Sequence, residues 1–142
     1  MLKSSHTADL QTIPVYDSVP AGLFKDASVV LDSDEVPQLA VSPAETNHDP
    51  RAFALVVQGD SMTEAGILDG DILVVSPGTR VNSGDIAVVL VNQTASTVKK
   101  VYVEGDRIIL QPANHRYRPE VLEYPLQAEI VGKVIQVRRQ LG

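Results

Sequence analysis

Asp85-Ile86-Ala87-Val88-Val89-Leu90-Val91 and, a few residues on, Ser96-Thr97-Val98-Lys99-Lys100-Val101-Tyr102-Val103 are the runs that decide the fold. Both are rich in β-branched residues, and neither carries the 3.6-residue spacing of an amphipathic helix. Turn formers bound them, Ser83-Gly84 ahead of the first and Glu104-Gly105 behind the second. Phe53–Gln58, Asp71–Val75, Arg107–Leu110 and Glu129–Val137 read the same way, with Asp69-Gly70 and Pro77-Gly78 between them. Six short strands at this spacing predict a mostly-β domain from Arg51 onward. Only Ser61–Gly66 has room for a helical turn.

The residues ahead of Arg51 differ. Residues 1–12 are polar and unpatterned and read as a mobile arm. Ile13 to Phe24 is apolar but broken by Pro14, Pro20 and Gly22, so it is expected to be extended rather than helical. An acidic, proline-containing stretch over residues 25–50 reads as a long surface connection. An apolar strip embedded in such sequence is expected to dock on its own domain or on a partner.

Composition narrows the functions open to the chain. It has 142 residues, no cysteine and a formal net charge of −6. Thiol catalysis and cysteine-based zinc sites are thereby excluded, and the lack of cysteine suits a reducing cytoplasm. An acidic chain with few aromatics is poorly suited to grip a phosphate backbone, so no direct DNA binding is expected. Arg138 and Arg139 form a small basic pair that reads as a solvated terminus. No apolar run is long enough to cross a membrane, and the first residues lack the apolar centre of a signal peptide. No cofactor or metal is implied.

Gly59-Asp60-Ser61-Met62 carries the first chemical signal. A strand running into a glycine, with a serine at the following bend, exposes a hydroxyl beside free backbone N–H groups, as a nucleophile with an oxyanion hole requires. A plain turn or cap serine has the same local sequence. His6, His48 and His115 fall in segments read as arm, linker and turn, so none is spaced to serve as its base. A buried lysine is the other option, because desolvation disfavours the ammonium and leaves an amine able to take a proton. Strand alternation puts Lys99 on one face with Thr97, Val101 and Val103, and Lys100 on the other with Val98 and Tyr102. That favours Lys99 slightly; the alternative is that both lysines protect an edge strand from aggregation.

Taken in order, Gly59-Asp60-Ser61-Met62, Gly66-Ile67-Leu68-Asp69-Gly70-Asp71, Ser83-Gly84-Asp85-Ile86, Thr97-Val98-Lys99-Lys100, Leu110-Gln111-Pro112-Ala113-Asn114-His115-Arg116-Tyr117-Arg118-Pro119 and Ile130-Val131-Gly132-Lys133-Val134-Ile135 resemble the LexA/UmuD family of self-cleaving proteins, peptidase family S24. The resemblance covers roughly residues 53–137, with a weaker match over 13–24. It implies a LexA/signal-peptidase-like fold of several short, strongly twisted sheets. Ser61 is implied as nucleophile, Lys99 as general base, and the backbone N–H groups of Ser61 and Asp60 as oxyanion donors. The family cuts itself at a small-residue dipeptide ending in glycine, ahead of the catalytic domain. Val19-Pro20-Ala21-Gly22 fits, which places the cut between Ala21 and Gly22 and makes the apolar strip the substrate. Residues 1–50 are then an arm and linker carrying the cleavage site, and 51–142 the catalytic and dimerisation domain. Residues 22–49 match no member pattern.

The same resemblance implies a homodimer, paired around Glu129–Val137, whose cleavage is stimulated by a RecA-type recombinase filament on single-stranded DNA. Two roles stay open within the family. One is the catalytic part of a LexA-like transcriptional repressor of the DNA-damage (SOS) response. The other is a UmuD-like accessory subunit of an error-prone DNA polymerase, which the short arm and the lack of a helix-turn-helix favour. The strip Ile13 to Phe24 favours the repressor. Outside the family stand a type I signal peptidase, which needs a membrane anchor, and an inert dimeric interaction module.

Overall fold

The β-branched runs become strands because their alternate side chains can be buried on both faces of a sheet. The computed structural model describes residues 10–19 and 36–141. Nine strands form: β1 Gln11–Tyr16, β2 Gln38–Val41, β3 Phe53–Val56, β4 Ile72–Ser76, β5 Ile86–Val91, β6 Ala95–Glu104, β7 Arg107–Gln111, β8 Glu120–Glu123 and β9 Ala128–Arg138. They join edge to edge in the order β2-β1-β3-β4-β9-β5-β6-β7-β8. Every pairing is antiparallel except β1 with β3. Among the described residues, helical structure is limited to two 3₁₀ turns, Pro43–Thr46 and Thr63–Ala65. The mostly-β class therefore holds, with its six expected strands displaced by no more than two residues at either end.

Three further strands lie where the sequence signals were weak. β1 tolerates Pro14 because pairing with β3 begins only at Val15, one residue beyond the proline. β2 lies within the acidic stretch, and β8 has a glutamate at each end. β1 and β2 both fall in the segment expected to be arm and linker.

β9 joins the two halves of the sheet. Its C-terminal part pairs with β4 and its N-terminal part with β5. Two register shifts interrupt it. Val74 faces Gln136 while Val75 faces Val134, so Ile135 is extra; Val88 faces Gly132 while Val89 faces Ile130, so Val131 is extra. Each added residue bends the strand and increases its twist.

Alternation along the central strands feeds separate cores. Leu73 and Val75 of β4 and Val88 of β5 pack with Phe53, Leu55, Met62 and Ile67. Val74, on the opposite side of β4, packs with Ile13, Val41 and Ala54. Ala87 and Val89 join Val101, Ile108 and Leu110 in a third cluster.

Candidate active site

Ser61 and Lys99 belong to distant parts of the sheet. Ser61 follows β3, Lys99 lies in β6, and β4, β9 and β5 separate the two strands. Four steps across a flat sheet, at about 4.8 Å each, amount to roughly 19 Å. Yet Lys99 Nζ lies 3.0 Å from Ser61 Oγ. The bulged β9 and the loop that carries Ser61 back over the sheet together close that gap.

The loop is built from its backbone upward. Gly59 adopts φ +90°, a conformation that side chains disfavour, and its N–H donates to Asp69 Oδ1 at 2.7 Å. Val57 N–H donates to Asp71 O and Gly70 N–H to Val57 O, each at 2.8 Å, pinning the entry to the turn. Beyond the serine, Met62 is buried in the core and Thr63–Ala65 makes one 3₁₀ turn, closed by Gly66 at φ +81°. The expected helical turn thus forms in tighter 3₁₀ geometry. Asp71, 1% exposed, accepts from Leu68 N–H and from Nε and Nη2 of Arg139, the latter two at 2.7 and 2.6 Å. Arg139 Nη2 also donates to Gly66 O. Arg138 pairs with Glu45. The two C-terminal arginines, expected to be solvated, instead brace the sheet and the turn beyond Ser61.

Lys99 sits in register with the fully buried Ala87 of β5. β6 pairs with β5 from Ala95 to Lys100 and with β7 only from Lys100 onward, so Lys100 lies inside the sheet while Lys99 has a strand neighbour on the β5 side alone. Thr97, two residues away, has its hydroxyl 2.6 Å from Lys99 Nζ. The amine is therefore held between two hydroxyls. Burial lowers the Lys99 pKa below the ordinary lysine value, while the charge of Glu120 on β8 opposes that shift. Thr97→Val keeps the strand but frees the amine to sample other positions. Any hydrolysis that draws on this amine is expected to slow by roughly ten- to a hundredfold, as a small misplacement of a reacting group commonly does. Timed intact-mass spectra check it; an unchanged rate would remove Thr97 from the site.

The segment that braces the turn carrying Ser61 had no role legible in the sequence. Asn114, 6% exposed, donates from Nδ2 to Asp60 O at 2.8 Å. Glu64 N–H donates to Ala113 O, and Ala113 N–H points at Met62 Sδ. The Asp60 carboxylate accepts from the Tyr117 hydroxyl and from Arg116, which together hold its pKa below the usual carboxylate range. His115 pairs with Glu64 on the surface and His48 is exposed, so neither approaches Ser61. His6 and the Ala21-Gly22 pair lie outside the described residues.

A cleft of about 300 Å³ opens over the pair. Ser61, Met62 and the end of β3 form one wall, and Thr94–Lys99 the other. Asp17, Ser18 and Val19, the residues that leave β1, line the same cleft. Among the described residues no cluster of metal-ligating side chains occurs, and no helix is long and apolar enough to cross a membrane.

An all-β sheet that curls to set a serine hydroxyl against a half-buried lysine amine defines a class of candidate hydrolases. Residues 14–135 match the family model described as Peptidase S24-like, and the chain belongs to that family. It is 36% identical over 138 residues to the LexA repressor of Bacillus mycoides, covering 96% of this chain and 64% of the relative. It is 33% identical over 141 residues to the LexA repressor of Pseudothermotoga lettingae, covering 99% and 68%. The LexA repressor of Bacillus anthracis is 36% identical over 138 residues, covering 96% and 63%. The chain thus spans a little under two thirds of the length of most of these curated relatives.

Proposed function

We propose that this chain is the self-cleaving, dimerising part of a LexA-like repressor, cutting its own Ala21-Gly22 bond with a Ser61/Lys99 dyad. One observation carries the reading: the 3.0 Å approach of Lys99 Nζ to Ser61 Oγ, in a cleft that the chain enters at Val19, two residues before Ala21. The relatives are LexA repressors by name, which supports the repressor role over the polymerase accessory.

The chemistry follows from these groups. Neutral Lys99 accepts the Ser61 hydroxyl proton as Oγ attacks the Ala21 carbonyl. Backbone N–H groups of Ser61 and Asp60 stabilise the oxyanion, and Asn114 and the Thr63 N–H, both donating to Asp60 O, keep the turn in place. Collapse expels the Gly22 amine, which takes the proton from Lys99. Water, activated by the same amine, then hydrolyses the ester and leaves an Ala21 carboxylate. Because strip and dyad share one chain, attack enjoys a high effective concentration. A recombinase filament on single-stranded DNA acts by favouring the docked strip.

Incubation of the purified protein at about pH 10, read by intact mass, tests the reading where far more of a lysine lowered by burial is neutral than at pH 7. A cut after Ala21 is expected. A chain that stays whole even with the activated filament is instead a dimeric binding module.

The pH profile is a sharper check. Only the deprotonated amine is a base, so the rate should climb with pH and flatten above the Lys99 pKa, which burial places below that of a free lysine. Glu120→Gln removes the charge that holds the proton on Lys99, so the rise is expected at lower pH, with faster cutting at neutral pH. A profile that does not move detaches Glu120 from the dyad.

A further inference from the structure

β1 precedes the proposed cut in sequence but is built into the sheet that carries Ser61. It lies between β2 and β3. It pairs with β2 from Gln11–Val41 to Pro14–Gln38 and with β3 through Val15–Ala54 and Tyr16–Leu55. Val15 N–H donates to Pro37 O at 2.8 Å, and Gln58 Nε2 to Asp17 O at 3.2 Å. Its side chains enter two cores. Ile13, 5% exposed, packs with Val41, Ala54 and Val74, while Tyr16 joins the cluster around Phe53, its ring centroid 5.9 Å from the phenylalanine. Every one of these contacts links a residue before Ala21 to one after Gly22.

The slot that holds β1 also has a support of its own. Arg138 of β9 donates from Nη1 to Ala40 O at 3.0 Å and pairs through Nη2 with Glu45 at 2.5 Å, so the β2 wall is tied to the sheet without β1. We infer that the gap between β2 and β3 is a strand-binding groove whose occupant after cleavage is the chain's own residues 11–16. The piece 1–21 then stays seated on the piece 22–142. This rests on the self-cleavage reading above and extends it to regulation. Hydrolysis adds one water across the Ala21-Gly22 bond, giving a carboxylate on one piece and an amine on the other. It breaks no hydrogen bond of β1. Main-chain bonds hold an added strand and alternate side-chain pockets fix its register, as in peptide recognition by strand addition. Cutting is therefore an unlatching step, and withdrawal of β1 a second step with its own rate.

The test uses the full chain, cut at about pH 10, returned to neutral pH and examined by gel filtration and native mass spectrometry at micromolar concentration. Both pieces are expected in one species. Pieces that run apart overturn the groove and leave the cleavage reading standing. A chain that does not cut overturns the cleavage reading alone, and the groove is then read on a version with a protease recognition sequence inserted between Ala21 and Gly22. Opened by the added protease, that version should also retain its N-terminal piece; separation overturns the groove. Ile13→Asp, which sets a carboxylate among Val41, Ala54 and Val74, should lose most of the retained piece in the protease-opened form. Undiminished retention in that variant would place the attachment elsewhere and overturn the inference.

Discussion

Ser61→Ala and Lys99→Ala should each leave the chain whole at alkaline pH, with self-cleavage slowed at least about a thousandfold, the scale seen when one member of a catalytic group is removed. In the proposed mechanism the alanine at position 61 removes the attacking oxygen, and that at position 99 removes the amine 3.0 Å from it that serves as base. If the two act on one proton as proposed, the double variant should be no slower than either single one, a non-additivity that independent sites lack. Lys99→Arg separates the roles of charge and base. The guanidinium keeps a cation and long stem in the cleft but does not lose its proton in the accessible range, so this variant should also stay whole. Intact mass followed over time checks all four chains. A Lys99→Arg chain that cuts at the rate of the parent would sink the general-base role, and with it the pH profile expected above. Folding should survive each change, since Ser61 lies in a partly exposed turn and Lys99 in a half-buried position facing the cleft.

How far the sequence could be read depended on how local each signal was. Runs such as Ile86–Val91 carry their own pattern, and the strands appear where that pattern put them. β2 and β8 are four residues long, too short for alternation to stand out, and owe their existence to neighbouring strands. Pro14 disguised β1, since the pairing partner that tolerates it is far away in sequence. At the site, Lys99 was favoured only slightly by alternation; its approach to Ser61 depends on the curl of β4, β9 and β5 between the two, which no local pattern encodes. Thr97 stood on the expected face of Lys99, but nothing local shows that its hydroxyl reaches the amine. Asn114, Arg116 and Tyr117 sit in a polar segment more than fifty residues from the turn they brace. That segment carried a family resemblance and no local chemical signal, because its role arises only when the chain returns to Asp60.

Gly132→Ala should be the most damaging added methyl among the described glycines. Gly132 is buried in β9 at the point where that strand passes from β4 to β5, beside the extra residue Val131. A Cβ there would lie 2.9 Å from Pro77 N, 2.9 Å from Val75 Cγ1 and 3.0 Å from Pro77 Cα. Val75 Cγ1 belongs to a fully buried side chain, and the two proline atoms are backbone, so neither neighbour can swing aside as a flexible side chain would. Relief requires the β4 end and β9 to move apart, at a cost of about 3 kcal/mol, the upper part of the usual range for overpacking. For a chain of this size that corresponds to a fall in melting temperature on the order of 10 °C. The contrast is Gly105, where an added methyl would have nothing within 4 Å and the strain comes from φ +61° alone. Gly105→Asn, a residue that tolerates that conformation, should therefore leave stability nearly unchanged. Differential scanning calorimetry of the two variants decides the matter. Because the same strand sets the curl that brings Lys99 to Ser61, Gly132→Ala should also slow self-cleavage at temperatures where the chain is still folded. Melting and cleavage both at parental values would mean that β9 gives way locally, and that its close packing on Pro77 does not set the geometry of the site.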